Sequence, residues 1–289
     1  MRTIDEIMTS LGKQINAKAK QSVPPPAQIA TKTVALPQWP EEVRGCPSCV
    51  LRSALFGVVR RGRRKALEGE ILATWEGVTI RYTGWRLDQA DLDVWLAVLH
   101  IAREYALGLR VQSSVNRLLK AVGRNTDGRS HEWLKGAIRR LTACAVEITA
   151  GRKTYSGPLI EGFERDEVTG EHVLYLNPRL AGLFEDDAFT WIDWEQRRSL
   201  TMDLSKWLHS YILSHQATLN NPHRIGLGRL RELCGSETGE LWRFRQQIRE
   251  AMQELHTTGV VAAWRITTGD ALEVVRSPRQ RQIIDSHPT

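Results

Sequence analysis

The sequence predicts an α+β chain in which one compact unit is used twice in tandem, behind a flexible N-terminal arm. Three observations carry this. The order short helix, polar turn, longer helix, hairpin occurs twice, and the two longer helices share one apolar spacing. About 45 residues at the start follow neither a helical nor a strand pattern. With 289 residues, 42% of them hydrophobic and 25% charged, the chain has the length for two domains of ordinary size.

The arm is assigned to residues 1–50. It is Lys-rich, and Pro24, Pro25, Pro26, Pro37 and Pro40 oppose helix and strand alike. Ordered structure is expected from Leu51, with a first domain over 51–190 and a second over 191–289. Arg60, Arg61, Arg63, Arg64 and Lys65 place five cations in six positions. Such a run lies along a phosphate backbone or forms a solvated loop, and the sequence leaves both open. Over 70–87, Ile71, Ala73, Trp75 and then Val78, Ile80, Tyr82 alternate around Glu76-Gly77 as in a β-hairpin. Leu92, Trp95, Leu96, Leu99 and Ala102 then recur at helical spacing, with Asp88, Asp91 and Asp93 at the helix start.

The first copy of the unit begins with a short helix over 113–122, ended by Gly123. A polar turn over 124–128 leads to a longer helix over 129–143. Strands follow at 146–150, 154–163 and 172–176, with turns at Gly151-Arg152 and 166–170. The second copy has an amphipathic helix over 204–216, a short helix over 227–234 ended by Gly235, and a long helix over 239–257. Strands at 260–267 and 271–275 flank Thr268-Gly269-Asp270, which suits a tight turn. Leu134, Ile138 and Leu141 in one long helix match Ile248, Met252 and Leu255 in the other, four and then three residues apart.

This order is that of a winged helix, so the expected architecture is two tandem winged-helix domains, each with a third helix for the major groove and a hairpin beside the backbone. Off the apolar stripe of the first long helix lie Arg129, His131, Lys135, Arg139 and Arg140; around that of the second lie Arg243, Arg245, Gln246, Gln247 and Arg249. Arg bridges guanine O6 and N7 and Gln bridges adenine N6 and N7, so the second helix reads as the base reader. The first is mainly cationic and suits phosphates, as do Arg152 and Lys153 in the first hairpin turn. A net charge of +7 and a pI near 9.4 agree with a double-stranded DNA partner.

Other classes find little support. No run of about 18 apolar residues is present to span a bilayer, and the start has no apolar signal core, so a cytoplasmic protein away from membranes is expected. Gly57 to Gly62 has the glycine spacing of a phosphate loop, but Arg63-Arg64 stands where Lys-Ser/Thr is needed. His209 and His215 are six apart and no His-x-His occurs, so a metal-dependent nicking site is not expected. Cys46 and Cys49 form a close pair without further ligands, which leaves no expected metal or cofactor, and no enzymatic activity. Trp95, Trp133, Trp207 and Trp264 sit in apolar patterns and are assigned to the core. Glu185-Asp186-Asp187, with Asp193 and Glu195, falls between the two units and reads as a solvated linker.

Several short segments together resemble the TrfA-type plasmid replication initiators, over roughly 52–266. They are Arg52-Ser53-Ala54-Leu55-Phe56, Ile80-Arg81-Tyr82-Thr83-Gly84, Leu183-Phe184, the aromatic stretch from Phe189 to Trp194, Leu233-Cys234-Gly235-Ser236 and Trp242-Arg243. The resemblance implies binding to direct repeats (iterons) at a plasmid origin, opening of an adjacent AT-rich segment, and contact with the host replicative helicase and the host initiator. It also implies self-association to an inactive dimer. Thr33-Val34-Ala35-Leu36-Pro37 stands where some relatives carry a sliding-clamp motif, without the Gln or the Phe of that motif. The rival reading is a dimeric winged-helix transcriptional repressor that binds a palindrome and leaves the duplex closed; a third, an adaptor that touches only proteins, predicts no salt-dependent DNA binding.

Overall fold

The computed structural model describes residues 35–278, except 60, 61, 63, 76, 107–109, 167–170 and 186–187, and gives only the backbone of 171–172. Most of the basic run, residues 1–34 of the expected arm, and most of the turn expected at 166–170 lie outside the described residues.

The described chain opens with β1 (Val43–Pro47), a single-turn α1 (Ser48–Leu51) and β2 (Phe56–Gly57). β3 (Ala66–Leu72) and β4 (Val78–Trp85) pair antiparallel, and β5 (Leu87–Asp88) leads into α2 (Gln89–Ala102). Asp88 caps α2 by accepting from the Ala90 and Asp91 amides, while Asp91 returns a bond to the Asp88 amide, the reciprocal box that fixes a helix start. Assigning an arm to residues 1–50 is wrong for 36–50: Leu36, Trp39, Val43, Cys46 and Val50 are buried in the first core. Trp39 donates its indole N–H to His100 on α2 at 2.9 Å, so apolar anchors outweigh the prolines between them.

The doubled unit is present. In the first copy, β6 (Val111–Ser114) runs into α3 (Val115–Ala121), then α4 (Gly128–Thr142). In the second, β12 (His223–Gly226) runs into α7 (Leu227–Leu233), then α8 (Leu241–Thr257). Gly123 and Gly235, at φ +74° and +61°, end the two short helices in the left-handed region that a side chain resists. Ser130, Leu134, Ala137, Ile138 and Leu141 are buried on α4, and Phe244, Ile248, Ala251, Met252 and Leu255 on α8, with identical steps of four, three, one and three. One helical face packs on the same kind of core twice.

Sheet pairing shows which hairpin corresponds to which. In the second copy β13 (Val261–Ile266) and β14 (Ala271–Arg276) follow α8, and the sheet order is β12-β14-β13. The same order recurs in the first copy as β6-β10-β9, with β9 (Gly162–Arg165) and β10 (Glu171–Tyr175). β7 (Ala145–Ala150) and β8 (Lys153–Gly157) instead join the earlier hairpin in a four-stranded sheet, β3-β4-β7-β8. The single return strand expected over 154–163 is therefore two strands in two sheets. Pro158 lies between them, and Leu159 and Ile160 are buried, with the Leu159 carbonyl accepting from Trp95 Nε1 at 3.0 Å.

The acidic stretch also departs from expectation. After a 3-10 turn (Pro178–Leu183), β11 (Phe189–Asp193) pairs with β1, so 189–193 is a strand and not a linker; Asp186 and Asp187 lie outside the described residues. Asp193 caps α5 (Trp194–Ser199) through the Gln196 amide, and α6 (Asp203–Leu213) begins the second core. Trp191, Ile192 and Trp194 belong to the first core, and the second runs from Leu200 to Val274. Val58, Ala73 and Trp75, from the first half of the sequence, pack against the second core.

Candidate nucleic-acid interface

The buried stripe of α8 sets where every other side chain of that helix points. Opposite it, Trp242, Gln246, Arg249 and Gln253 follow each other at intervals of four, three and four, and all are exposed. Gln246 donates to Glu250 at 2.9 Å, and Arg249 has no ion pair among the described residues. Arg243 and Gln247 occupy one flank, where they line a cleft of about 770 Å³ with Lys65, Glu237 and Thr238. Gln247 is oriented there by the Thr238 hydroxyl, 2.9 Å from its Oε1. Arg245 lies on the other flank, and it is not an outward donor: it pairs with Asp270 and reaches the Thr267 carbonyl in the turn of β13–β14. That pair holds Asp270 at φ +53°, so the helix and its hairpin turn are fixed to one another.

The first long helix repeats the arrangement with different chemistry. Asp127 caps α4 by accepting from the Ser130 amide at 2.7 Å. The positions equivalent to the outer stripe of α8 are Gly128, Glu132, Lys135 and Arg139. Lys135 bonds Glu132 at 2.8 Å and holds that carboxyl below its ordinary range. Arg129 and Arg139 are exposed and have no ion pair among the described residues. His131 faces Asn116 on α3 at 3.2 Å. Arg140 is turned inward, bonding the buried Asp91 at 2.7 Å, so its role is to join α4 to α2. Arg124 lies 3.7 Å over the half-buried Trp133 and places a further cation at the start of α4.

Arg152 and Lys153 belong to the turn and first residue of the β7–β8 hairpin, which is an insertion into the first unit. By sheet order, the counterpart of the β13–β14 turn is the β9–β10 connection, not the Gly151-Arg152 turn. Lys153 is moreover paired with Glu185. Period-2 alternation made the two hairpins look alike.

Three site candidates escaped the sequence reading. Trp242 completes the outer stripe of α8, and the helical period already contains that signal. Arg224 and Arg265 are 65% and 75% exposed on the outer strands β12 and β13, where both face Glu273 of β14. Their approach across a sheet depends on register and has no local trace. Trp95 and Trp207 are buried, as their patterns implied, whereas Trp133 and Trp264 are only half-buried. Among the described residues no group of three or more His, Cys, Asp or Glu is placed to hold a metal, and no helix is long and apolar enough to cross a membrane.

A mixed α/β fold of two helix-and-hairpin units, each carrying an outward polar helix, defines a class with solved members. The fold is similar to that of domains 2 and 3 of RctB, at a TM-score of 0.54 and 12% identity over 80% of this chain and 98% of that one. It is also similar to the Pi initiator protein solved in complex with iteron DNA, at a TM-score of 0.50 and 13% identity over 66% of this chain and 94% of that one. Within that class the chain belongs to the TrfA family, whose profile, described as TrfA protein, matches residues 11–273. The plasmid replication initiator protein TrfA of Escherichia coli is 29% identical over 236 residues, 78% of this chain and 60% of that protein's length.

Proposed function

We propose that the chain is a plasmid replication initiator that binds duplex DNA sequence-specifically through two tandem winged helices. The observation that carries this reading is the pair of helices α4 and α8, buried at identical positions and each presenting its opposite face to solvent. On α8 that face carries Trp242, Gln246, Arg249 and Gln253, with Glu250 bonded to Gln246, and Gln and Arg are side-chain types that read base edges. On α4, Lys135, Arg139 and the flanking Arg129 suit phosphates, and the exposed Arg224 and Arg265 of the second sheet are further candidates for backbone contact. Family membership and the fold shared with an initiator crystallised on iteron DNA support the same reading.

In this reading the targets are direct repeats at a plasmid origin, and binding promotes opening of the neighbouring duplex and recruits the host initiator and replicative helicase in the cytoplasm. Self-association to a dimer withholds the active form and limits copy number. The chain binds and deforms DNA without catalysing a reaction and without a cofactor.

Footprinting of the chain on plasmid DNA upstream of its own gene, at two salt concentrations and with permanganate to report unpaired thymines, tests this. Evenly spaced protected repeats beside a reactive AT-rich stretch are expected. One protected palindrome with no melting identifies a dimeric repressor instead.

A further inference from the structure

We infer that Trp242 is a specificity-determining residue of α8 and makes apolar contact with the C5-methyl group of a thymine in the major groove. This rests on the DNA-binding reading of that helix.

Trp242 is 65% exposed, ahead of Trp85 on the β3–β4 hairpin at 53%, whereas Trp39, Trp95, Trp194 and Trp207 are each 5% exposed or less. Leaving a ring of this size in water forgoes a large burial free energy, and the second core does not need it, since Phe244 two residues on closes that core from the buried face. Its position in the first turn of a 17-residue helix is where a recognition helix meets base edges.

The surroundings of the ring select the partner. Trp242 is the one apolar side chain in a stripe completed by Gln246, Arg249 and Gln253, and the Arg243 guanidinium stands 5.1 Å from the ring. An apolar protein surface is poorly matched by one ring set among amides and guanidiniums. The major groove matches it: an acidic backbone surrounds polar base edges, and the thymine methyl is the apolar group among them. The stacked guanidinium is also held ready beside the ring, with less freedom to lose when it meets a base or phosphate.

The test uses duplexes selected from a random 30-base-pair library by the full-length chain, with each thymine replaced singly by deoxyuridine, which removes only the methyl group. For the wild type, at least one replacement is expected to lower affinity about fourfold, the loss expected for one methyl contact. W242A should bind the thymine duplex more weakly, and bind the thymine and uracil duplexes equally at that position, with unchanged far-UV circular dichroism. W242F should keep part of the discrimination. Full uracil discrimination in W242A, or no uracil-sensitive thymine in the wild type, overturns the inference while leaving DNA binding intact. A shift in the monomer–dimer balance of W242A with unchanged DNA binding overturns it in favour of a second copy of the chain. Selection of no sequence at all is the different failure, that of the DNA-binding reading itself.

Discussion

Arg197 donates from Nε to Asp93 at 2.7 Å, and this bond joins α5, at the entry to the second half, to α2 of the first. The guanidinium is fully buried and its remaining donors are used: Nη1 bonds the Lys206 carbonyl and Ser210 hydroxyl, both at 2.9 Å, and Nη2 bonds Gln89 Oε1 at 3.0 Å. Lys206 occupies the other Asp93 oxygen at 2.7 Å. Removing Arg197 leaves Asp93 with Lys206 alone and takes the partner from buried acceptors on Gln89 and Ser210, a loss of roughly 1–3 kcal/mol. Arg197→Ala is therefore expected to lower the urea unfolding midpoint by that equivalent; a loss below about 1 kcal/mol would show that water enters the junction.

Four histidines make stability fall in mild acid. Burial pushes His100 to about 4, His215 to about 3 and His223 to about 4, and holds the wholly buried His209 well below the ordinary value. The unfolded chain binds these protons near pH 6.5 and the native chain does not. Stability is thus fully present above about pH 6.5 and is lost as pH falls towards the folded values. Urea midpoints measured at about pH 7.5 and about pH 5 should differ, with net proton uptake on unfolding at the lower pH. Equal midpoints would rule out neutral burial of the imidazoles.

On DNA, Gln246→Ala and Arg249→Ala should each relax preference at particular base pairs by roughly 1–3 kcal/mol of discrimination. Arg265→Ala should weaken all sequences alike and lower the salt slope by about one. Arg152→Ala should change neither, because its turn belongs to the inserted hairpin. Binding isotherms at several salt concentrations separate these outcomes, and a base-specific loss with Arg152→Ala would restore that turn to the interface.

Gly235→Ala tests how the second unit is seated. The residue has φ +61°, and an added Cβ would meet Arg86 Nη2 at 2.6 Å, the atom that donates to the Gly235 carbonyl at 2.7 Å. A destabilisation of roughly 1–3 kcal/mol is expected from the backbone alone. Thermal unfolding of Gly235→Ala beside Gly239→Ala, where nothing lies within 4 Å of an added Cβ, provides the control.

The sequence by itself determined what is local. Apolar periodicity placed α2, α4, α6, α7 and α8, Asp88 stood at a helix start it does cap, and Gly123 and Gly235 marked ends that need positive φ. The repeated spacing of the two long helices, and with it the polar face opposite, was legible because 3.6 residues per turn is a property of the chain alone. Tertiary structure decided the rest. Whether an alternating segment joins one sheet or another depends on a partner strand far along the chain, so β8 and β9 could not be told apart before pairing. Whether an arginine points at solvent or at a carboxylate depends on what is brought beside it: Arg140 met Asp91, Arg245 met Asp270, and Arg249 met nothing among the described residues. Leu36 and Trp39 were drawn into a core whose other residues lie up to about 160 positions away, because burial depends on the surface a folded neighbour presents and not on the prolines next to it in sequence.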